Sequence, residues 1–259
     1  KMLPAGSNGA AAMKDFVEGG LTDCGVANIV WSTVFAYDTS KITGAKPTTM
    51  ADFFDTTKFP GKRGMRKGAK ANLEMALMAD GVPASKVYDI LGTPAGVKRA
   101  FAKMDSIKKD IVWWEAGAQA PQLLADGEVA MTTAYNGRIF NAAISENKPF
   151  MIVWDGQVLD FDMFVIPKGA PNKALAFDFI KFATGTKPLA DQAKYIAYGP
   201  ARKSSAAFVG LYQDGKTKMA SHLPTAPANL KNALVNNFEF WADRSSELNE
   251  RFNAWIAAN

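Results

Sequence analysis

The sequence predicts an α/β protein with a mainly parallel sheet covered by helices on both faces. Three observations carry that prediction. Runs rich in β-branched and aromatic residues alternate with runs of helical spacing along the whole chain. The helical runs carry recognisable starts and stops. Apolar residues make up 48% of the 259, without repeats or low-complexity tracts, which suffices for a large core in one or two domains.

In chain order, residues 1–8 read as loop, and no helix or strand starts before Ala10. The first strand is Ile29-Val30-Trp31-Ser32-Thr33-Val34-Phe35-Ala36-Tyr37, bounded by Gly25 and by Asp38-Thr39-Ser40. Its nearly continuous apolar pattern is that of a mostly buried strand. A polar linker with Gly44 and Pro47 follows. Residues 72–79 hold strong helix formers, and Gly81 and Pro83 stop the helix. Residues 94–104 and 121–125 read as short helices with proline in the first turn, where its missing N–H costs nothing. Residues 128–135, 150–154 and 158–166 read as strands. Residues 172–184 place Leu175, Ala176, Phe179, Ile180 and Phe182 at helical spacing. The stretch 201–228 lacks periodicity and reads as a surface excursion or an interdomain connection. The last segment is a helix, with Leu248, Phe252, Trp255 and Ile256 at i, i+4, i+7 and i+8.

Composition narrows the chemistry. Cys24 and His222 are the single cysteine and the single histidine, so an internal disulfide, a zinc cage and a Cys-His nucleophile pair are all poor expectations. Neither a metal nor a cofactor is expected, and no enzymatic activity. A net charge of +5 is modest for this length and does not call for a nucleic-acid partner. No run approaches the ~18 apolar residues of a membrane span, and the first residues lack the apolar stretch of a signal peptide.

Residues 210–217, Gly-Leu-Tyr-Gln-Asp-Gly-Lys-Thr, spell the phosphate-cradling pattern of P-loop NTPases. That pattern works only between a buried strand and a helix starting at the Lys-Thr. Here Arg202-Lys203-Ser204-Ser205 makes no strand approach, Pro224 soon follows, and Asp214 would sit beside the phosphates. The NTPase reading is therefore a remote alternative. The run Lys58, Lys62, Arg63, Arg66, Lys67, Lys70 contains no acid. It reads as a solvated loop, with an anionic ligand as the alternative, because cations at a helix start oppose the helix dipole.

Aromatic and polar residues recur together at expected strand ends: Trp31-Ser32, Trp113-Trp114-Glu115, Tyr135-Asn136-Gly137-Arg138, Asp160-Phe161-Asp162, Tyr198-Gly199-Pro200 and Phe240-Trp241. Each alone is more simply core packing. Together they fit the rule that open α/β sheets bind ligands at strand carboxyl ends. Aromatic faces beside a carboxylate suit an ammonium group, and an arginine suits a carboxylate.

These residues resemble the periplasmic solute-binding proteins of ABC importers, in the spermidine/putrescine-binding branch. The resemblance spans essentially the whole chain and rests on the order of several segments. They are Val30-Trp31-Ser32-Thr33, Thr49-Met50-Ala51-Asp52-Phe53-Phe54, Leu73-Glu74-Met75-Ala76-Leu77, Ala125-Asp126-Gly127-Glu128-Val129-Ala130, Tyr135-Asn136-Gly137, Phe164-Val165-Ile166-Pro167-Lys168-Gly169 and Leu223-Pro224-Thr225-Ala226-Pro227. It implies a type II binding protein of two lobes with ligand trapped between them. One lobe would comprise residues 1–38 and 161–206, the other 39–160 and 207–259, with the first strand-helix units of the N-terminal lobe missing. It also implies a monomer that is exported to the periplasm and delivers its ligand to an ABC permease and its ATPase.

For the site, the resemblance implies that Asp162 holds an amine and that Tyr135, Tyr198 and Trp241 line the pocket. Trp31, Ser32 and Asp160 are further candidates. Where polyamine binders place two acids before the helix, this chain has Gly68 and Ala71, flanked by Lys67 and Lys70. Where they place a small residue after Asn-Gly, it has Arg138. Two lost carboxylates leave a polyamine under-compensated. An amine-plus-carboxylate ligand such as a γ-amino acid fits better, with putrescine or spermidine as the alternative.

Overall fold

The computed structural model describes residues 3–258, which divide into two compact units. Unit 1 is Lys1–Trp31 with Leu159–Leu230, and unit 2 is Ser32–Val158 with Lys231–Asn259. Lys1, Met2 and Asn259, included in the expected lobes, lie outside the described residues. The structure thus puts residues 32–38 in unit 2 and residues 207–230 in unit 1, where the sequence reading has them the other way round. Packing explains the second difference. The Gln213 N–H donates to the Lys194 carbonyl at 2.9 Å. Thr225 also packs on Gly199 so closely that a Cβ there would meet its Oγ1 at 2.3 Å.

In chain order the main elements are α1 (Ala12–Asp15), β1 (Val26–Asp38), α2 (Met50–Phe54), β2 (Arg63–Arg66), α3 (Asn72–Ala79), α4 (Val87–Leu91), α5 (Pro94–Asp105), β3 (Ile111–Trp114), α6 (Gln119–Ala125), β4 (Met131–Tyr135), α7 (Asn136–Phe140), β5 (Phe150–Phe164), α8 (Lys173–Ala183), α9 (Thr186–Gln192), β6 (Gly199–Pro200), β7 (Leu234–Val235) and α10 (Phe238–Ala257). The strand order is β3-β2-β4-β1-β5-β7, with β6 also paired to β1. The sheet is mixed rather than mainly parallel. β2 pairs parallel with β3 and β4, across helical crossovers, whereas β1 runs antiparallel to β4 and β6. The two strands expected at 150–154 and 158–166 are one strand, β5. Its Asp155-Gly156 step makes a kink instead of a turn: Gly156 takes φ +70° and donates to the Asn232 carbonyl at 3.0 Å. The Asp155 carboxylate accepts from the Met50 N–H at 2.7 Å and from Asn232 Nδ2 at 2.9 Å.

Unit 2 is built on α3, all of whose residues are buried, packed against α2, α4 and α5. The capping box of Thr49 and Asp52 starts α2. Helix α10 closes this core with Trp241, Leu248 and Phe252. β2 is hidden inside the basic run because Arg63 is wholly buried. Its guanidinium donates to the carbonyls of Phe53, Gly61 and Phe59 at 2.6 Å each and of Asp55 at 3.2 Å. Burial pushes Arg63 down to about 10, which leaves it charged at neutral pH.

Unit 1 has a buried arginine of its own. Arg202 donates to Asp15 at 2.9 Å and to the carbonyls of Thr184 and Pro4 at 2.6 and 3.0 Å, and lies over the Phe16 ring. Burial pushes the Asp15 carboxyl up, but hydrogen bonds from Arg202 and Ser204 outweigh it and hold the group below its ordinary value. The stretch 201–228, expected as a surface excursion, is therefore anchored at its start.

Replacing Arg63 by Ala takes a donor from four carbonyls; the bonds to Phe53 and Phe59 are buried, while the Asp55 carbonyl keeps the Phe59 N–H. Urea unfolding should show a loss of about 3 kcal/mol or more; a loss under about 1 kcal/mol would contradict the role given to it. The Asp15 contribution is complete above the ordinary carboxylate value of 3.8 and disappears as pH falls through the depressed native value. Thermal melts from pH 7 to pH 2 should therefore show the gap between wild type and Asp15→Asn closing in acid.

Candidate functional site

Because β2, β3 and β4 run parallel, their carboxyl ends share one edge of the sheet in unit 2. That edge collects Arg66, Trp114 and Tyr135. Arg66 lies opposite Trp114 in register, and the next residue, Lys67, donates its N–H to the Trp114 carbonyl at 2.8 Å. The Trp114 and Tyr135 rings meet edge to face, with centroids 5.6 Å apart. Tyr135 leads directly into α7, where the Asn136 side-chain oxygen accepts from the Ser32 N–H of β1 at 3.0 Å. Gly117 makes room for the corner: a Cβ there would lie 2.9 Å from Tyr135 Cδ2 and 3.7 Å from Arg138 Nε. The half-buried Tyr135 and exposed Arg138 therefore both flank Gly117. Ser32 Oγ and Trp114 Nε1 are buried with no hydrogen-bond partner among the described residues. Orphaned polar atoms at such an edge fit a ligand site.

A second feature of the same unit is a depression of about 360 Å³ lined by Arg66, Lys67, Gly68, Lys70, Trp241, Ser245 and Asn249. The basic run thus has three fates. Arg63 is buried; Lys58 pairs with Asp52 at 2.8 Å; Arg66, Lys67 and Lys70 border the depression, Lys67 also reaching Glu115 at 3.1 Å. Asn249 accepts from the Ala69 N–H at 3.1 Å, and Asn72 donates to the carbonyls of Arg66 and Gly68 at 2.6 and 2.8 Å, which fixes the turn. Trp241 is nearly buried, and its indole N–H goes to the Glu74 Oε1 at 2.6 Å. Trp241 is therefore held from the core side while it borders the depression.

In unit 1, Trp31 Nε1 donates to Asp162 Oδ1 at 3.1 Å, so an exposed carboxylate lies against an indole. Asp160, two residues earlier on the same strand, accepts from the Phe161 N–H at 2.9 Å. β6 pairs Gly199 with Val30, which puts Tyr198 on the Trp31 side of that ladder. Trp31, Asp162 and Tyr198 thus come from neighbouring strand segments.

The P-loop pattern forms something else. Tyr212 N–H reaches the Thr217 carbonyl at 2.8 Å in a hairpin bridged at Leu211 and Lys218. The Asp214 carboxylate accepts from the N–H groups of Lys216 and Thr217 at 2.9 Å each and from Thr217 Oγ1 at 2.6 Å. The donors a phosphate would need are already engaged, so this segment is a hairpin and not a nucleotide cradle. Among the described residues no His, Cys, Asp and Glu group is placed to hold a metal, and no helix is long and apolar enough to cross a membrane.

Residues 5–225 match the family of bacterial extracellular solute-binding proteins. The chain belongs to that family. This solute-binding protein is 51% identical over 242 residues to the γ-aminobutyric acid-binding protein of Pseudomonas aeruginosa, a match covering 93% of the chain and 66% of that relative. It thus spans just under two thirds of the relative's length. An ABC transporter substrate-binding protein from Bradyrhizobium japonicum is 33% identical with a TM-score of 0.82, covering 93% of this chain and 72% of that one. A solved GABA receptor is 32% identical with a TM-score of 0.80, covering 99% and 76%. These relatives bind substrates and do not transform them, and the type II two-lobed fold of the periplasmic binding proteins is that of this solute-binding protein.

Sequence reasoning names Ser32, Tyr135 and Arg138 but omits their supports Trp114, Asn136 and Gly117 from the site. Their signal was the pair of aromatic strand ends, Trp113-Trp114-Glu115 and Tyr135-Asn136, which parallel pairing through β2 brings to one edge. Gly117→Ala should push Tyr135 off Trp114. The expected readout is a weakened near-ultraviolet circular dichroism signal with the unfolding free energy changed by about 1 kcal/mol or less, as for a tolerated surface change; an unaltered spectrum would mean that Gly117 does not set the corner.

Proposed function

We propose that the protein captures γ-aminobutyric acid or a near relative of it, unreacted, and delivers it in the periplasm to an ABC permease driven by its ATPase. The single observation that carries this reading is Arg138 flanking Gly117 with Tyr135, together with the orphaned donors of Ser32 and Trp114. A guanidinium next to neutral donors suits a carboxylate, which a polyamine lacks. Asp162 against the Trp31 indole, with Tyr198 nearby, suits the ammonium end. Each group suits one end of a zwitterion, and binding is all the function requires. The γ-aminobutyric acid-binding relative, 51% identical, supports the ligand class. Putrescine is disfavoured because Lys67 and Lys70 flank the start of α3, where two acids would be needed to balance a second ammonium.

Isothermal titration of the protein with γ-aminobutyric acid, glutamate and putrescine tests this. γ-Aminobutyric acid should bind most tightly, and Asp162→Asn and Arg138→Ala should each weaken it at least tenfold, about 1.4 kcal/mol. Unchanged affinity in both variants, or preference for putrescine, would overturn the assignment.

A further inference from the structure

Glu74 is a carboxyl group for which ligand binding has no use, and its surroundings are unusual. It lies in the first turn of α3 with no solvent exposure, among Leu73, Met75, Leu77 and Leu91, all equally buried. Both of its neighbours converge on one oxygen: Trp241 Nε1 at 2.6 Å and Tyr88 Oη at 3.1 Å donate to Oε1. The other oxygen, Oε2, is buried with no partner among the described residues. An ionised carboxylate has about four acceptor sites to satisfy, and here one of its oxygens has no hydrogen-bond partner among the described residues.

We propose that Glu74 is a proton-dependent positioning residue that sets how firmly the Trp241 indole is held at the border of the cationic depression. Ionised, Glu74 makes a short charge-assisted bond to the indole; protonated, it makes an ordinary one, about half as strong, so Trp241, which lines the depression with Arg66, Lys67 and Lys70, is held less firmly. Burial pushes the carboxyl up to about 7, against the opposing pull of its own backbone N–H, Trp241, Tyr88 and Lys70. Tyr88 of α4 is itself pushed above the ordinary tyrosine range, first by burial and then by Glu74, and stays a neutral donor.

Several charges on the elements around α3 have partners of their own, among them Asp89 of α4 with Lys86 and Asp105 of α5 with the Trp255 indole. Asp52 of α2 pairs with Lys58. On α5, Arg99 pairs with Asp80, and Lys103 lies over the Phe54 ring. Arg244 of α10 pairs with Glu247. Lys70, before α3, is the charge that acts on Glu74. The sign follows from the raised native value. Between about 4.5, the ordinary value, and about 7, the native state keeps a proton that the unfolded chain has released, so stability falls as pH rises through that window and is level above it.

The inference goes beyond the ligand reading and holds whether or not the ligand is γ-aminobutyric acid. Its test is ¹⁵N NMR of the indole N–H signals from pH 5 to pH 9, with the Trp241 signal assigned by Trp241→Phe. The Trp241 signal should move with a midpoint near 7, stay fixed in Glu74→Gln, which keeps an acceptor but cannot titrate, and show a higher midpoint in Tyr88→Phe, which removes a donor to the ionised form. A purely structural Glu74 would give a pH-independent signal in wild type, which overturns the proposal, as does an unchanged titration in Glu74→Gln. Should Glu74→Gln fail to fold, the wild-type midpoint and its displacement in Tyr88→Phe decide the matter alone.

Discussion

A guanidinium removed from water has to give its donors to protein acceptors, and each unit of this molecule is organised around one that does. Arg63 satisfies four carbonyls from residues 53–61 and so wraps that loop around the start of β2. With β2 fixed between β3 and β4, the edge that carries Arg66, Trp114 and Tyr135 is fixed as well. Arg202 does the same work with a carboxylate, tying Asp15 of α1 to the end of α8 and the segment after β6. A buried ion pair is weak evidence for net stability, but removing one partner strands the other. Both arginines therefore act chiefly as specifiers of where loops lie.

The sequence was most readable where local propensity and burial agree. Residues 72–79 of α3 and the final helix are read from helix formers and spacing, and their breakers Gly81 and Pro83 are where expected. β2 was not readable, because a strand of Arg-Gly-Met-Arg carries a charge where burial is expected, and only the surrounding carbonyls make that tolerable. A continuous apolar run such as β1 suggests a parallel strand buried on both faces, yet β1 is largely buried and antiparallel to β4, so burial on both faces does not fix strand direction. At the site, Tyr135 and Arg138 are three residues apart and were visible together. Trp31 and Asp162 each stand out as strand-end candidates, but nothing in the sequence brings two residues 131 apart together. Gly117 acts by having no side chain, which no pattern of polar and apolar residues records.

The same helix start that departs from the polyamine pattern also explains the electrostatics of unit 2. Gly68 and Ala71 stand where acids would be expected, and Lys67 and Lys70 flank them, so the depression beside α10 is cationic. Ala71 holds φ at +70°, a conformation that favours glycine, so the turn is kept in place by its hydrogen bonds and not by intrinsic preference.

The discontinuity of the units bears on how the chain is made. Trp241, Leu248 and Phe252, which fill the last layer against α3 and β3, belong to residues 238–257, whereas the rest of that layer is synthesised before residue 158. On the ribosome, the greasy flank around Met65, Leu73 and Trp113 must wait through the second segment of unit 1, Leu159–Leu230, before its lid is translated.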